Sequence, residues 1–203
     1  VTFTAADGAG NWTQASSTVT VLGPRGLKLD SIAELSVYAG EFKHLDKAIK
    51  EIEKSLDPKL WDGDVHLDSK HGHKVFSHEG HAVRELLNLI KHNGQKKHGD
   101  ADQDVLDLAQ TVIDDLVLAD RILAQTLLDD VTDLDAIDPK HQGHVDREIQ
   151  KAQDELAKGD ADSGASNPDK AIKHYRKAWE HAGHAAKEAA KPAKPAKAKK
   201  GKK

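Results

Sequence analysis

The side chains best suited to chemistry are histidines, of which this chain of 203 residues holds 13. The densest group is His71, His73, His78 and His81 with Glu85. Imidazole suits Zn, Cu and Ni, and ligands three or four residues apart on a helix converge on one ion. His78, His81 and Glu85 share one face of a predicted helix, and His71 and His73 lie in the loop just before it. His78-Glu79-Gly80-His81 is not the zinc-protease motif, because its second histidine comes one residue early for His-Glu-x-x-His. A second strip is His174, His181 and His184, beside Tyr175 and Trp179, with His141 and His144 placed to face it across a helical hairpin. For both sets the competing reading is a solvated polar helix face. Val83, Leu86 and Ile90 already define a buried side for the first.

Other chemistries are poorly provided for. With Cys 0, thiolate metal sites, iron–sulfur clusters, disulfides and cysteine nucleophiles are excluded. The chain has no Gly-rich phosphate loop and no G-x-S-x-G elbow, and Ser69 and Ser77 lack a context that would activate them. Asp160-Ala-Asp162-Ser-Gly164 begins like a calcium loop but offers Gly, Ala and Ala where an EF-hand needs a ligand, Gly and Glu. Paired Glu-x-x-His motifs for a di-iron bundle are also missing. The expectation is a protein that is not an enzyme. With Met 0, the chain is expected to be a mature product or a fragment. Charged residues make up 32%, and no apolar run approaches the ~18 residues of a membrane span.

Charge is unevenly placed. Seven of the 30 basic side chains fall in residues 191–203, leaving 23 against 34 acidic ones in the rest. The tail, KPAKPAKAKKGKK, has no side chain able to build a core, and Pro192 and Pro195 oppose helix. It is expected to be disordered. Lys191, Lys194, Lys197, Lys199, Lys200, Lys202 and Lys203 would touch an anionic cell-envelope polymer or other polyanion through counterion release, without sequence-specific nucleic-acid reading. Salt should weaken that contact.

The elements that must position these groups are mostly helices. Leu35, Tyr38, Phe42, Leu45, Ile49, Ile52 and Leu56 form an unbroken heptad stripe, which predicts one helix over 31–57 capped by Asp30 or Ser31. Gly23 to Gly26 reads as a hinge in a linker over 24–30. Further helices are predicted near 74–92, with Asn93-Gly94 as C-cap, and near 102–131, where apolar residues on several faces mark a central helix. A hairpin follows, of helices near 142–158, ended by Gly159, and 168–190, begun by Asn167 and Pro168. The first 23 residues differ: Val1–Thr4 and Ser17–Leu22 alternate as strands around Asp7-Gly8 and Gly10-Asn11 turns. The fold class is therefore all-α: a five-helix antiparallel bundle-like domain over 31–190, with a short N-terminal β-hairpin remnant and a disordered basic tail.

Two stretches carry resemblances. VTFTAADGAGNWTQASSTVTVLG resembles the last two strands of a bacterial immunoglobulin-like repeat of the HYR type, over about a tenth of the chain. The segment from Lys151 to Ala182 is similar to helical hairpins of the FIMAH type. Leu156, Lys158, Gly159, Ala171, Ile172, His174 and His181 match, while Tyr175 and Trp179 depart from the pattern. The resemblances imply a non-catalytic accessory, adhesion or structural module of a secreted or cell-surface bacterial protein. The alternative is a His-rich domain that binds a divalent metal.

Overall fold

Apolar residues at helical spacing become six helices in the computed structural model, which describes residues 2–6, 12–16, 22–92 and 103–193. They are α1 (Pro24–Ser36), α2 (Lys43–Ser55), α3 (His73–His92), α4 (Gln103–Thr132), α5 (Gln142–Gly164) and α6 (Pro168–Ala189). Single 3-10 turns at Pro58–Leu60 and Pro139–His141 follow α2 and precede α5. The chain is thus an all-α, bundle-like fold. Near the N-terminus β1 (Thr2–Ala6) pairs antiparallel with β2 (Trp12–Ser16), Thr4 opposite Gln14. The second strand therefore lies earlier than the predicted Ser17–Leu22, of which 17–21 fall outside the described residues. So do the Asn93-Gly94 cap and the tail lysines beyond Lys191.

The helix predicted over 31–57 is two helices, making six rather than five. Tyr38 and Phe42 keep the apolar stripe in phase, so periodicity alone does not report the break. Gly40 makes it: its φ is +88°, a left-handed conformation that side chains with a Cβ resist. The Gly40 N–H then donates to Asp46 Oδ1 at 2.8 Å, tying the turn to the start of α2. Upstream, the predicted linker over 24–30 is helical. Pro24 occupies the first helical position, where its fixed φ is pre-set and its missing N–H costs nothing. Ser31 is no cap but a buried mid-helix residue whose Oγ donates to the Leu27 carbonyl at 2.9 Å.

Helix α5 runs on to Gly164 instead of stopping at Gly159. Gly159 is a point of contact: a Cβ there would collide with the Tyr175 ring of α6. The Tyr175 hydroxyl donates to Asp160 Oδ1 at 2.9 Å, and Arg121 of α4 holds the same carboxylate through two hydrogen bonds of 2.8 and 3.0 Å. Ala171, Ala178, Ala182, Ala185 and Ala189 are buried along α6, letting the two backbones approach closely. The hairpins α2–α3 and α5–α6 pack on α4, which touches α1, α3, α5 and α6. Phe76 and Trp179 meet where α3 crosses α6, ring centroids 6.0 Å apart.

Three ionisable side chains lie inside this packing. Lys28 of α1, Glu79 of α3 and Asp120 of α4 are each 0% exposed. Lys28 Nζ is 2.8 Å from Glu79 Oε1 and 4.6 Å from the centroid of the Trp61 ring. The contact is an ion pair by distance, although its angles fall outside hydrogen-bond geometry. Burial, followed by the charge of Glu79, pushes the Asp120 carboxyl well above its ordinary range, toward its neutral form. A lysine paired with one carboxylate, beside a carboxyl pushed toward its neutral form, is an arrangement a low-dielectric interior tolerates. Lys28→Met leaves Glu79 as an uncompensated buried charge and should cost about 3–5 kcal/mol in chemical denaturation. Lys28→Met combined with Glu79→Met should recover most of that loss. A double variant as unstable as the single one contradicts the account.

Candidate metal centre

Each hairpin is laced by carboxylates of one helix that accept from histidines of the other. In α5–α6 the His181 Nδ1–H donates to Glu148 Oε2 at 2.7 Å and His174 Nδ1–H to Glu155 Oε2 at 2.7 Å. His141, at the entry to α5, reaches Glu188 Oε2 at 3.2 Å. His141, Glu148 and Glu155 on one side, and His174, His181 and Glu188 on the other, are each spaced seven residues apart, the spacing that keeps side chains on one helix seam. In α2–α3 the His78 Nδ1–H donates to Glu51 Oε2 at 2.8 Å, and His44 to Glu85 Oε2 at 2.6 Å. A carboxylate carries no proton, so each of these Nδ1 atoms supplies one.

Lysines complete the rungs. Lys151 Nζ is 2.7 Å from Glu148 Oε1 and Lys158 Nζ is 2.6 Å from Glu155 Oε1, both three residues along the same helix. Partial burial pushes the Glu148 carboxyl up, but the hydrogen bonds from Lys151 and His181, with their charges, outweigh it and hold it at about 2. Glu155 is likewise raised by burial and lowered further, by Lys158, His174 and Lys177, to about 2. Glu51 and Glu85 sit below their ordinary value by the same balance, with Lys54 and His78 acting on the first and His44 and Lys47 on the second.

Glu148 is the point at which two histidines converge. His184, one turn beyond His181, places Nδ1 3.7 Å from the same Oε2. Among the described residues, Glu148, His181 and His184 form the set of three whose ligand atoms all lie within 4.8 Å of one another. Zn–N and Zn–O bonds of ~2.0–2.2 Å in a tetrahedron set ligand atoms roughly 3.4 Å apart, so small side-chain rotations close the set on an ion. Lys151 occupies Oε1, leaving Oε2 as a single-oxygen ligand. Two nitrogens and one oxygen would leave a tetrahedral ion one further position; of the three groups, His184 also lines a groove of about 510 Å³ with Leu67, His73, Leu127, Trp179 and Lys187.

The first histidine group named from the sequence is divided by the fold. His78 and His81 turn to Glu51, at 2.8 and 3.7 Å. Glu85 belongs to a different rung, taken by His44 and by Lys47 Nζ at 3.3 Å. His71 is held in its own turn by Asp68, Nδ1 to Oδ1 2.9 Å. His73 lines the groove beside His184. Of the second group, His181 and His184 come together, whereas His174 sits a rung away with Glu155 and, through Nε2, within 3.4 Å of Asp162. His144 accompanies Arg147. Lys191, the first residue of the basic tail, pairs with Glu188.

Glu148 and Glu51, the carboxylates that complete these sets, were not apparent from the histidine spacing, because each lies on the neighbouring helix. The signal that could have found them is Glu-Ile-x-Lys, present once in each hairpin, at 51–54 and 148–151. No protein-family model, curated protein or solved structure matches this chain.

Glu148 and Glu155 are depressed in the folded protein relative to an ordinary value of 4.5. Their contribution to stability is therefore complete above about pH 4.5 and lost as pH falls toward about 2. Glu148→Gln with Glu155→Gln should cost about 1 kcal/mol per site at neutral pH, the scale of charged hydrogen bonds discounted for partial exposure. Denaturation at a series of pH values should show the gap to the unaltered chain closing through that window. A gap that stays constant down to pH 2 rules the rungs out as the source.

Proposed function

We propose that the helical domain is a non-catalytic accessory module that binds a divalent transition-metal ion, Zn, Cu or Ni, through Glu148, His181 and His184. The observation that carries this reading is the convergence of one carboxylate and two imidazoles within 4.8 Å, on two helices fixed against each other. Two histidines one turn apart on α6 are pre-set by the backbone, and α5 brings the carboxylate from across the hairpin. The ion takes the place of the Nδ1 proton that now bridges His181 and Glu148, so binding releases protons and weakens as pH falls. With no sulfur ligand in the chain, imidazole and carboxylate define its preference, and Cu(II) should bind more tightly than Ni or Zn.

The accessory role, in a secreted or cell-surface bacterial protein, draws its support from the two sequence resemblances and from the histidines themselves. Those that form the rungs are engaged with carboxylates that hold helices together, rather than set beside a nucleophile. Among the described residues, no helix is long and apolar enough to cross a membrane.

Isothermal titration of the full chain with ZnCl2 and CuCl2 tests the site. Saturable binding is expected for the unaltered chain, with affinity of the Glu148 site falling at least about tenfold in His184→Ala. His184 is 60% exposed in its side chain, so the substitution leaves the core untouched. Unchanged affinity and stoichiometry in that variant would falsify the assignment.

A further inference from the structure

The two hairpins are copies of each other in sequence as well as in geometry. His78-Glu-Gly-His81-Ala-Val-Arg84-Glu85 recurs as His181-Ala-Gly-His184-Ala-Ala-Lys187-Glu188, a shift of 103 residues. On the partner helices, His44 and Glu51-Ile-Glu-Lys54 recur as His141 and Glu148-Ile-Gln-Lys151, a shift of 97. Phe76 and Trp179, two residues before the first histidine of each copy, are the rings that meet between the hairpins.

Around these carboxylates and histidines the contacts repeat. Glu51 Oε2 stands 2.8 Å from His78 Nδ1 and 3.7 Å from His81 Nδ1, where Glu148 Oε2 stands 2.7 and 3.7 Å from His181 and His184. Lys54 holds Glu51 Oε1 at 2.6 Å as Lys151 holds Glu148 Oε1 at 2.7 Å. Exposure repeats too: the carboxylates are both 18% exposed, the inner histidines 28% and 29%, the outer ones 55% and 60%. Outside the ligands the copies diverge. Glu79, which anchors Lys28 in the core, stands where the second copy has Ala182.

From this correspondence we infer that the chain carries a second divalent-metal site, formed by Glu51, His78 and His81, and binds two ions, one per hairpin. The inference rests on the reading of Glu148, His181 and His184 as a site. The second set is the weaker. Its carboxylate–imidazole distances match, yet only the first set brings all three ligand atoms within 4.8 Å of one another, so the shortfall lies between the two imidazoles. His81, 55% exposed, is the ring that would have to rotate to close it. Glu51 and His81 line a second groove, of about 520 Å³, together with Glu85, Lys47, Lys50, Lys54 and Arg84. Its cations outnumber its carboxylates by four to two, and the surplus opposes a metal ion by like-charge repulsion.

The test is the count of Zn(II) ions bound by the full chain at equilibrium dialysis, for the unaltered chain, His81→Ala, His184→Ala and the double variant. All four are first checked for helix content by circular dichroism. Two ions in the unaltered chain, one in each single variant and none in the double variant are expected, with His184→Ala retaining the weaker ion. Cobalt(II) substitution adds a readout independent of affinity: each single variant should keep about half of the visible absorption. One ion, lost in His184→Ala and untouched in His81→Ala, overturns the second site while leaving the first standing. One ion lost only in His81→Ala overturns the first and leaves the second. No saturable binding in the unaltered chain overturns both.

Discussion

The helical domain depends on a repeated ion pair: a glutamate on one helix of a hairpin that accepts at once from a lysine on its own helix and a histidine on the other. Glu148 and Glu51 show its full form. The intrahelical lysine fixes which oxygen faces the partner helix, and the histidine fixes the register of that helix to within one residue. A slip by one residue would turn His181 away from Glu148 and set Tyr175 against a residue other than Gly159. The polar seam and the close approach of α5 and α6 are thus parts of one arrangement.

Its energetic share is nonetheless modest. Half-exposed ion pairs contribute little each, whereas the stretches of Leu, Ile and Val buried along α4 carry the bulk of the burial term. What the rungs supply is specificity. An alanine-rich face such as that of α6 packs almost equally well in several registers, because small side chains make shallow ridges. Carboxylates held as anions and facing fixed histidines remove that degeneracy. The buried Lys28–Glu79–Asp120 group acts similarly at the junction of α1, α3 and α4, where a misplaced helix would strand a charge in the core.

Much of the fold was legible in the sequence. The starts of α3, α4 and α6 followed from periodicity and from Pro168, and the central role of α4 followed from its apolar residues on several faces. The break at Gly40 was not legible, since Tyr38 and Phe42 continue the heptad through it. The helical continuation past Gly159 was hidden because glycine reads as a stop, and only the Tyr175 ring explains its presence inside a helix. Histidine positions were visible, but their grouping was not. Glu85 falls one turn from His81 on the same helix and looks like its partner, while the fold gives it to His44 and brings Glu51 in from α2. The two His-x-Gly-His segments carry the internal correspondence in the sequence, but only the fold shows that both face the same kind of carboxylate.

The most direct measurement of whether these seams are metal sites is anomalous diffraction at the zinc absorption edge from crystals of the full chain grown with Zn(II). Peaks beside Glu148 Oε2, between His181 and His184, and beside Glu51 Oε2, between His78 and His81, are the predicted result, the first at higher occupancy. Peaks confined to His71, His73 or other histidines outside the two seams, with Glu148 and Glu51 still bonded only to histidine and lysine, would contradict it.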